Sequence, residues 1–399
     1  MNSITLYTEE IDDLNEAALE LFSQAEEFVF QKNSMGILYT EEDTDYSELY
    51  GLLSEKWDFP IVGCTATAML LGKEGYCGLG ISIMLLTADD CEFAAGITED
   101  LNQNNLYKEI GEVYGELRKK LSEEPKLVLT FGGMSRDDVR NVSGDDLVDA
   151  IDKATGGIPI YGVLASDGFT FDKFRIFHNE KESMEAEILV LISGNIEPKM
   201  ICINSVENRA NFYYEVTESH SNQVDRLGNS TFVEALAGEN LKIDQDDIQG
   251  AYLLSPFVYT QEKENGDKIE VARTLMSLNR EKGAGNFIGA IPQGSYLSIG
   301  IISRADVQKS VQMAFDIVFK ELEQKGNKYH TLLCNSCSAR FLALANNTAA
   351  EAKTYIGRLP EDVSLMGIYA NGELCPVKGD KTGKYYNVFH NFTFTILAI

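Results

Sequence analysis

The sequence predicts an α/β or α+β fold, with two domains built from repeated β-α-β-β units and mixed sheets flanked by helices. The main observation is a pattern that occurs three times: apolar residues, a glycine, two variable residues, an alanine and a small polar tail. Its glycines are Gly63, Gly162 and Gly367, and in each copy the alanine follows three residues later. A long-period repeat of this kind indicates a duplicated supersecondary unit.

The segments around the three copies repeat as well. An apolar strand candidate precedes each copy, at residues 36–39, 127–130 and 331–334. A longer apolar run follows each copy after a polar turn, at residues 80–86, 188–192 and 392–399. Because a segment that can form a helix separates each first strand candidate from its glycine pattern, we expect the order strand, helix, strand, turn and strand three times.

Apolar periodicity and capping residues predict further helices. Thr8, which two glutamates follow, is expected to cap a helix whose apolar face extends to Ala25. Apolar residues at helical spacing predict another helix at about 106–121. Ser143 and Ser303 each begin a Ser-x-x-Asp sequence, which is typical of a capping box, so a helix is predicted to start at each.

Apolar and alternating runs predict the remaining strands. Residues 77–86 and 91–97 are expected to form a hairpin, because only a short polar segment separates them. In the second half, strands are predicted at residues 252–259, 268–278, 286–291 and 294–302. The Asn-Gly pair at residues 265–266 lies between the first two of these strands and predicts a hairpin.

The chain has 399 residues, which is more than one hydrophobic core usually organises. We therefore expect two domains, residues 1–200 and 201–399, with the boundary between residues 195 and 210. No proline-rich or serine-rich linker marks this boundary. An apolar share of 44% provides enough material for both cores.

The charge of the chain argues against two classes of partner. The sequence contains 34 Lys and Arg against 62 Asp and Glu, a net charge of −28 at pH 7. Nucleic acids and anionic membranes are bound mainly through basic residues, so neither is expected as a partner. Residues 1–10 contain no signal-peptide pattern, and no apolar run approaches the roughly 20 residues of a membrane span. We therefore expect a cytoplasmic protein without membrane insertion.

Seven cysteines lie in apolar runs, and their odd number indicates reduced thiols rather than a disulfide framework. Cys334 and Cys337 form a Cys-x-x-Cys sequence that begins four residues after His330. A zinc site there would need further ligands, for which Cys375 and His390 are the candidates. One Cys-x-x-Cys sequence is a weak signal for a metal or redox site. We therefore expect no metal and no cofactor, with Cys334 in the core and Cys337 at a pocket.

Four local sequences carry a family resemblance. Two of them lie in the first half of the chain: Val62-Gly63-Cys64-Thr65-Ala66 and Gly162-Val163-Leu164-Ala165-Ser166-Asp167. The two more specific ones lie in the second half: Asn335-Ser336-Cys337-Ser338-Ala339-Arg340 with a later Glu351, and Gly367-Ile368-Tyr369-Ala370-Asn371-Gly372-Glu373 with His390-Asn391-Phe392-Thr393. Together they resemble the FIST family, whose N-terminal and C-terminal domains would cover nearly the whole chain. The first copy departs from the family pattern at Ala68, where an acidic residue is usual, and the second at Val163.

The resemblance implies a cytosolic sensory module that binds a small ligand, such as an amino acid or a similar carboxylate. No kinase, cyclase or receiver motif is visible, so a signalling partner would have to read ligand occupancy. The resemblance implies ligand contacts at Arg340, Glu373, Cys337, Tyr369, Asn391, Thr393, Asp167, Cys64 and Thr65. A guanidinium can bind a ligand carboxylate through two parallel hydrogen bonds, and Glu373 can accept a hydrogen bond from an amino group.

Three other interpretations stay open on the sequence alone. Arg340 can instead form an internal ion pair with Glu373 or Glu351 that holds the repeated unit together. An enzyme with Cys337 as nucleophile and His390 as base is the alternative from another functional class. A purely structural assembly module predicts neither a pocket nor a reactive thiol.

Overall fold

The computed structural model describes residues 1–133, 142–239, 255–325 and 329–399. These residues form three mixed sheets of six strands and one antiparallel sheet of eight strands, with helices packed against the sheets. The predicted α/β class, with mixed sheets flanked by helices, is confirmed. None of the helices in the described ranges combines the length and the apolar character that a membrane span requires.

Three units repeat one order of elements. The first unit contains β1 (Asn2–Thr8), α1 (Leu14–Gln24), β2 (Asn33–Thr40), α2 (Tyr46–Ser54), β3 (Ile61–Thr65), β4 (Met69–Leu71), β5 (Gly75–Cys77) and β6 (Ile81–Ala88). The second unit contains β7 (Cys91–Ile97), α3 (Leu106–Arg118), β8 (Leu127–Gly132), α4 (Gly144–Thr155), β9 (Ile160–Leu164), β10 (Ile176–His178), β11 (Lys181–Ser183) and β12 (Glu187–Gly194). Each unit is therefore longer than predicted, by a leading strand and helix.

The third unit has the same order but carries an insert. It starts with β13 (Lys199–Asn204). The described part of the insert contains β14 (Asn208–His220), β15 (Gln223–Leu227), β16 (Ser230–Thr231), α5 (Phe232–Gly238), β17 (Phe257–Glu262), β18 (Lys268–Arg273), β19 (Leu275–Asn279), β20 (Ala284–Phe287) and β21 (Tyr296–Ile301). The unit resumes with α6 (Arg304–Lys325), β22 (Thr331–Cys337), α7 (Ser338–Leu344), two short 3₁₀ turns, β23 (Ser364–Ala370), β24 (Glu373–Lys378), β25 (Tyr385–His390) and β26 (Thr393–Ala398).

The repeated glycines lie where two parallel strands approach closely. In register, Gly63 pairs with Leu38, Gly162 with Thr130 and Gly367 with Cys334. A Cβ at these glycines would lie only 1.7 to 2.2 Å from the backbone oxygen of the facing residue. The pattern therefore contains glycine because no side chain fits between the strands.

The three units exchange hairpins in a cycle. The pair β4 and β5 of the first unit adds to β23 in the sheet of the third unit. The pair β24 and β25 of the third unit adds to β9 of the second, and β10 and β11 of the second add to β3 of the first. Strands from both halves of the chain consequently share two of the three six-stranded sheets.

The three copies of the glycine pattern meet in a ring of backbone hydrogen bonds. Three amides donate across the units: Thr67 to the Tyr369 oxygen at 3.3 Å, Ser166 to the Thr65 oxygen at 3.2 Å, and Asn371 to the Leu164 oxygen at 3.0 Å. These positions are equivalent in the repeat, so each unit donates to one neighbour and accepts from the other. The alanines that precede the donors are buried, which lets the three chains approach.

The predicted hairpin of residues 77–86 and 91–97 is wrong. The strand β6 pairs with β1 and β2 in the first sheet, whereas β7 pairs with β12 in the second. The short polar segment between them is the passage from one sheet to the next. The local sequence predicts a tight turn between β6 and β7. The position of β7 at a sheet edge is decided instead by its pairing with β12 of the second unit.

The capping predictions are confirmed at two of three helices. Ser143 and Asp146 form a reciprocal capping box at α4, and Ser303 forms the same arrangement at the start of α6. At α1 the prediction is wrong, because Asp13 accepts the first amide bonds of the helix and Thr8 ends β1. The strand β1 was not predicted.

The insert has its own core and is fixed to the repeated units by buried polar contacts. The predicted Asn-Gly hairpin joins β17 and β18, while the strand predicted at 268–278 is divided into β18 and β19. Residues 252–254 of the first predicted strand lie outside the described residues. Arg273, fully buried, donates to Asp145 of α4 at 2.7 Å and to the Phe389 oxygen at 2.9 Å. These bonds hold the insert against the second and third units.

Candidate functional site

Arg340 lies in the first turn of α7, directly after the buried strand β22. The chain turns from strand to helix at Cys337, so the arginine side chain enters the space between α6 and the sheet. Its guanidinium donates to Glu351 Oε1 at 2.9 Å and to Ser310 Oγ at 2.8 Å, and also to Ser205 Oγ. The remaining donor, Nε, reaches the hydroxyl of Ser336 at 3.0 Å. Each of its nitrogens therefore bonds to the protein, as in the predicted internal ion pair with Glu351.

Glu373 begins β24 and is fully buried close enough to Arg340 for their charges to interact. Its Oε2 accepts a hydrogen bond from the Thr393 hydroxyl at 2.6 Å, whereas Oε1 has no partner among the described residues. Burial raises the pKa of this carboxyl well above its usual range. Burial thus favours the protonated form of Glu373, and one of its oxygens has no donor among the described residues.

Cys337 and Tyr369 belong to the same buried region. Burial raises the pKa of the Cys337 thiol, and the charge of Glu373 adds to this shift. The phenol of Tyr369 is also shifted upward in pKa, first by burial and then by the charge of Glu351. Cys337, Arg340, Tyr369, Glu373 and Thr393 are thus brought together, but in the protein interior rather than around an open pocket.

Asn391 makes its hydrogen bonds within the protein. Its Oδ1 accepts from the amide of Thr274 at 3.2 Å and its Nδ2 donates to the His390 oxygen at 2.9 Å. Thr274 lies between β18 and β19, so this fully buried side chain connects the insert to the end of β25. The amide groups are used within the protein.

His390 lies beside other cysteines than the one predicted. Its Nε2 is 2.9 Å from the carbonyl oxygen of Cys375, and its ring hydrogen-bonds to the thiol of Cys202. Within the described ranges no hydrogen bond joins His390 to Cys337, whose raised thiol pKa also disfavours a nucleophilic role. The geometry therefore gives no support to Cys337 and His390 as a nucleophile and base.

The candidates of the first half are structural in their present contacts. Cys64 is fully buried in the core, and burial raises its thiol pKa. The Thr65 hydroxyl accepts from the amide of Arg175 at 2.9 Å, which joins β3 to the segment before β10. Asp167 accepts from Thr170, Phe171, Asp172 and Lys173 and so shapes the loop after β9. These bonds hold the pKa of Asp167 below its usual range, although burial alone would raise it.

The Cys-x-x-Cys sequence is not part of a metal-binding cluster in the described residues. Cys334 is fully buried and its thiol pKa is raised by burial. Within the described ranges, no group of three or more His, Cys, Asp or Glu side chains is placed to hold a metal ion.

A cavity of about 660 Å³ opens where the second unit, the third unit and the insert meet. Its walls come from the end of α4, the start of β13, the loop after β17 and the hairpin of β24 and β25. Four lysines and two tyrosines line it: Lys153, Lys199, Lys263, Lys384, Tyr385 and Tyr386. We call it the lysine cavity. Pro159, Pro198 and Pro376 add apolar surface to its lining.

Two of these lysines are not neutralised by a carboxylate. Lys153 pairs with Asp149 and Lys199 with Glu321, both at 2.7 Å. Within the described ranges, the ion pairs include neither Lys384 nor Lys263, whose ammonium group donates to Gln261 Oε1 at 2.8 Å. Their ammonium groups lie over the ring of Tyr386, 5.7 and 5.3 Å from its centroid. Partial burial also lowers the pKa of Lys263, so its charge is held at a desolvation cost.

Two other cavities carry a different charge. One of about 810 Å³ lies between β1 and the segment 356–365, and its lining includes Glu74, Glu361 and Asp362. One of about 360 Å³ lies beside α3 and is lined by several glutamates, among them Glu109, Glu112 and Glu116. None of the three cavities is lined by Arg340, Glu373 or Asn391. Of these three cavities, the lysine cavity is the one with more basic than acidic residues in its lining.

Sequence reasoning missed the lysine cavity because its residues come from four distant segments. Lys263 and Lys384 are 121 positions apart, and neither belongs to a local motif. Asn387 brings the walls together, since its Nδ2 donates to Asp152 at 2.6 Å and to the Ile158 oxygen at 3.0 Å. The one available signal was the tyrosine and lysine content of residues 384–386 in an acidic chain.

Comparison with known proteins gives a family and distant structural likenesses. The model of the FIST N domain matches residues 34–229, and the model of the FIST C domain matches residues 233–376. No curated protein matches the chain. A solved structure entitled "Cyanuric acid hydrolase: evolutionary innovation by structural concatenation" covers 100% of this chain and 99% of its own at 9% identity, with a TM-score of 0.36.

A second solved structure is a cyanuric acid hydrolase from A. caulinodans. It aligns with 62% of this chain and 85% of its own at 10% identity, with a TM-score of 0.30. Scores this low carry no argument about the activity of the chain.

Proposed function

The chain belongs to the FIST family, whose domains are sensory modules that bind small ligands in signal transduction, and on this premise we propose that the lysine cavity is its ligand site. The ligand class that fits is a small organic carboxylate, such as an amino acid. Ligand occupancy would then be passed to a signalling partner.

One observation carries this proposal: two ammonium groups without acidic partners in the described residues share one aromatic ring at a cavity wall. The chain as a whole carries a net charge of −28, yet the lining of this cavity contains four lysines and one aspartate. Two ammonium groups over one ring repel each other, and the half-buried position of Lys263 adds a desolvation cost. A carboxylate between Lys263 and Lys384 would relieve this repulsion and accept hydrogen bonds from both.

The size and the walls of the cavity support a ligand larger than an inorganic ion. Its volume of about 660 Å³ lies in the range of sites for small organic molecules. Tyr385 and three prolines offer apolar surface for the body of the ligand, while the lysines take its charged end. An amino acid or a small aromatic carboxylate satisfies both requirements.

The position of the cavity suggests how occupancy would be transmitted. Lys263 belongs to the insert, whereas Lys153 and Lys384 belong to the second and third units. A ligand that contacts all three parts favours the arrangement in which they lie close together. The equilibrium between open and closed arrangements would thereby depend on the ligand, and a partner that binds one of them would read it.

The proposal is tested by calorimetry and thermal shift with a panel of amino acids and small carboxylates. A ligand at 100 times its Kd is expected to stabilise the chain by about 2.7 kcal/mol. The double variant Lys263→Gln with Lys384→Gln is expected to lose this effect. Lys309→Gln is the matched control, because Lys309 is exposed and pairs with Glu207 away from the cavity.

Two results would count against the proposal. If no member of the panel stabilises the chain, the ligand is not a small carboxylate. If a ligand binds the double variant as tightly as the unchanged chain, the lysine cavity is not the site. Carboxamide analogues of any active ligand are expected to bind at least tenfold more weakly, since they lack the charge that the lysines attract.

The site implied by the sequence resemblance is a second proposal with weaker support. Glu373 Oε1 lacks a donor among the described residues, so a small polar guest would find a partner there. Arg340 offers such a guest no free nitrogen, since each of its nitrogens already bonds to the protein. Binding that is lost in Glu373→Gln and kept in the double lysine variant would favour this second site.

A further inference from the structure

Cys202 and Cys375 come together between two of the six-stranded sheets. Cys202 lies in β13, at the edge of the third sheet, and Cys375 lies in β24, which belongs to the second. The two strands pack against each other, and the two thiols are within hydrogen-bonding distance. Both cysteines are free thiols. The pair thus joins segments that are distant in the sequence and belong to different sheets.

The two cysteines differ in burial and in their hydrogen-bond partners. Cys375 is 1% exposed, whereas Cys202, on the edge strand β13, is the one cysteine of the seven that is not fully buried as a residue. The side chains of His390 and Thr393 also hydrogen-bond with Cys202. Because the carbonyl oxygen of Cys375 can only accept, His390 Nε2 donates in their 2.9 Å contact.

These contacts favour the thiolate at Cys202. The hydrogen bond from Cys375 is the largest cause that lowers the pKa of the Cys202 thiol; burial opposes it, and the interaction with His390 adds to the lowering. Cys375 shows the opposite, since burial raises its thiol pKa. Burial likewise raises the thiol pKa of Cys64 and Cys334. Among these cysteines, only Cys202 combines partial exposure of the residue with a lowered thiol pKa, and both features favour nucleophilic reactivity.

We propose that Cys202 is a peroxide-reactive thiol and that Cys375 converts its oxidised form into a disulfide between the two sheets. The Cys202 thiolate attacks one oxygen of hydrogen peroxide and the O–O bond breaks, which leaves a sulfenic acid and, after protonation of the leaving hydroxide, water. The Cys375 sulfur then attacks the sulfenic sulfur. The S–S bond forms, the S–OH bond breaks, and the Cys375 proton leaves with the hydroxide as a second water. Two thiols and one peroxide thus give one disulfide and two waters.

The disulfide would form next to the lysine cavity. Pro376, directly after Cys375, and Met200, which shares a strand face with Cys202, both line that cavity. A disulfide here ties β13 to β24 on the side where the cavity opens. The reaction itself depends only on the two thiols and not on a ligand.

The test treats the folded full chain with hydrogen peroxide and maps the products by mass spectrometry without reduction. A peptide pair joined through Cys202 and Cys375, two hydrogens lighter than the separate peptides, is expected before Cys64 or Cys334 reacts. In Cys375→Ser, Cys202 is expected to accumulate as a sulfenic acid that dimedone traps. In Cys202→Ser, Cys375 is expected to stay reduced. Cys77→Ser is the control and is expected to give the same disulfide as the unchanged chain.

The experiment with the unchanged chain tests by itself whether the disulfide between Cys202 and Cys375 forms, so the outcome does not depend on how well the variants fold. The proposal is overturned if Cys202 remains reduced while buried thiols oxidise, or if its only partner is a cysteine of another molecule. It is also overturned if Cys375→Ser yields no sulfenic acid at Cys202 although its melting temperature is unchanged.

Discussion

Arg340 and Glu351 form an ion pair of 2.9 Å in which both side chains are completely buried. The sequence left open whether this arginine binds a ligand or an internal acid, and the geometry gives the internal pair. Three serine hydroxyls and the ring of Phe394 complete its surroundings. The pair connects α7 to the segment after it, and the serines connect it to β13 and α6. The ion pair therefore holds these elements of the third unit together.

Removing the arginine alone is expected to destabilise the chain strongly. Arg340→Met leaves the Glu351 carboxylate buried without its cation, which costs about 3 to 5 kcal/mol. The double variant Arg340→Met with Glu351→Leu removes both charges and is expected to lose less than the single one. Urea denaturation of the two variants checks this. A single variant as stable as the unchanged chain would contradict the structural role.

Gly162→Ala is expected to disrupt the repeated unit. Its Cβ would lie 2.2 Å from the Thr130 backbone oxygen, and a strand in the middle of a sheet cannot move aside without losing its pairing. We expect a loss of about 3 kcal/mol or more. Gly111→Ala is the control, because this helical glycine has open space around it and alanine should stabilise the helix by roughly 1 kcal/mol. Melting temperatures compare the two.

Glu187 is expected to make stability fall as the pH rises. Burial raises the pKa of this carboxyl to about 8, against an ordinary value of 4.5. The folded state thus holds a proton that the unfolded state releases, so the contribution is complete below the ordinary pKa and is lost as the pH rises to about 8. Glu187→Gln, which needs no proton, is expected to flatten the profile. Glu123→Gln, at an exposed site, should leave it unchanged when melting is followed from acid to alkaline pH.

Carboxylate binding in the lysine cavity is expected to weaken at alkaline pH. Burial lowers the pKa of Lys263, so its ammonium group loses its proton below the pH at which an ordinary lysine does. Lys263→Arg, whose charge persists at high pH, is expected to keep its affinity where the unchanged chain loses it. Calorimetry at several pH values measures this, and an affinity that does not change with pH in the unchanged chain would contradict it.

The repeat could be predicted because short local sequence patterns define it. Gly63, Gly162 and Gly367 occur in one pattern, and apolar runs before and after each copy define the strands of one unit. The α/β class follows from that order alone. The leading strand β1 was missed because Asn2–Thr8 has a weaker apolar pattern and gains its place by pairing with β6.

The binding candidates were predicted less completely. Local motifs directed attention to Arg340 and Glu373, which lie near each other in the same buried region. They offered Glu351 as one of two acidic partners for Arg340, but they could not reveal the three serines that also accept from the guanidinium, since these come from separate elements. The lysine cavity and the thiol pair of Cys202 and Cys375 were also missed, because each is assembled from segments far apart in the sequence.

By itself, the sequence determined the repeated unit, its glycines, two of its helix caps and the family to which the chain belongs. Tertiary structure alone decided the cyclic exchange of hairpins, the sealed surroundings of Arg340 and the basic cavity on an acidic molecule. The physical reason is that propensity, capping and periodicity act between neighbours along the chain, whereas burial and charge pairing act between neighbours in space.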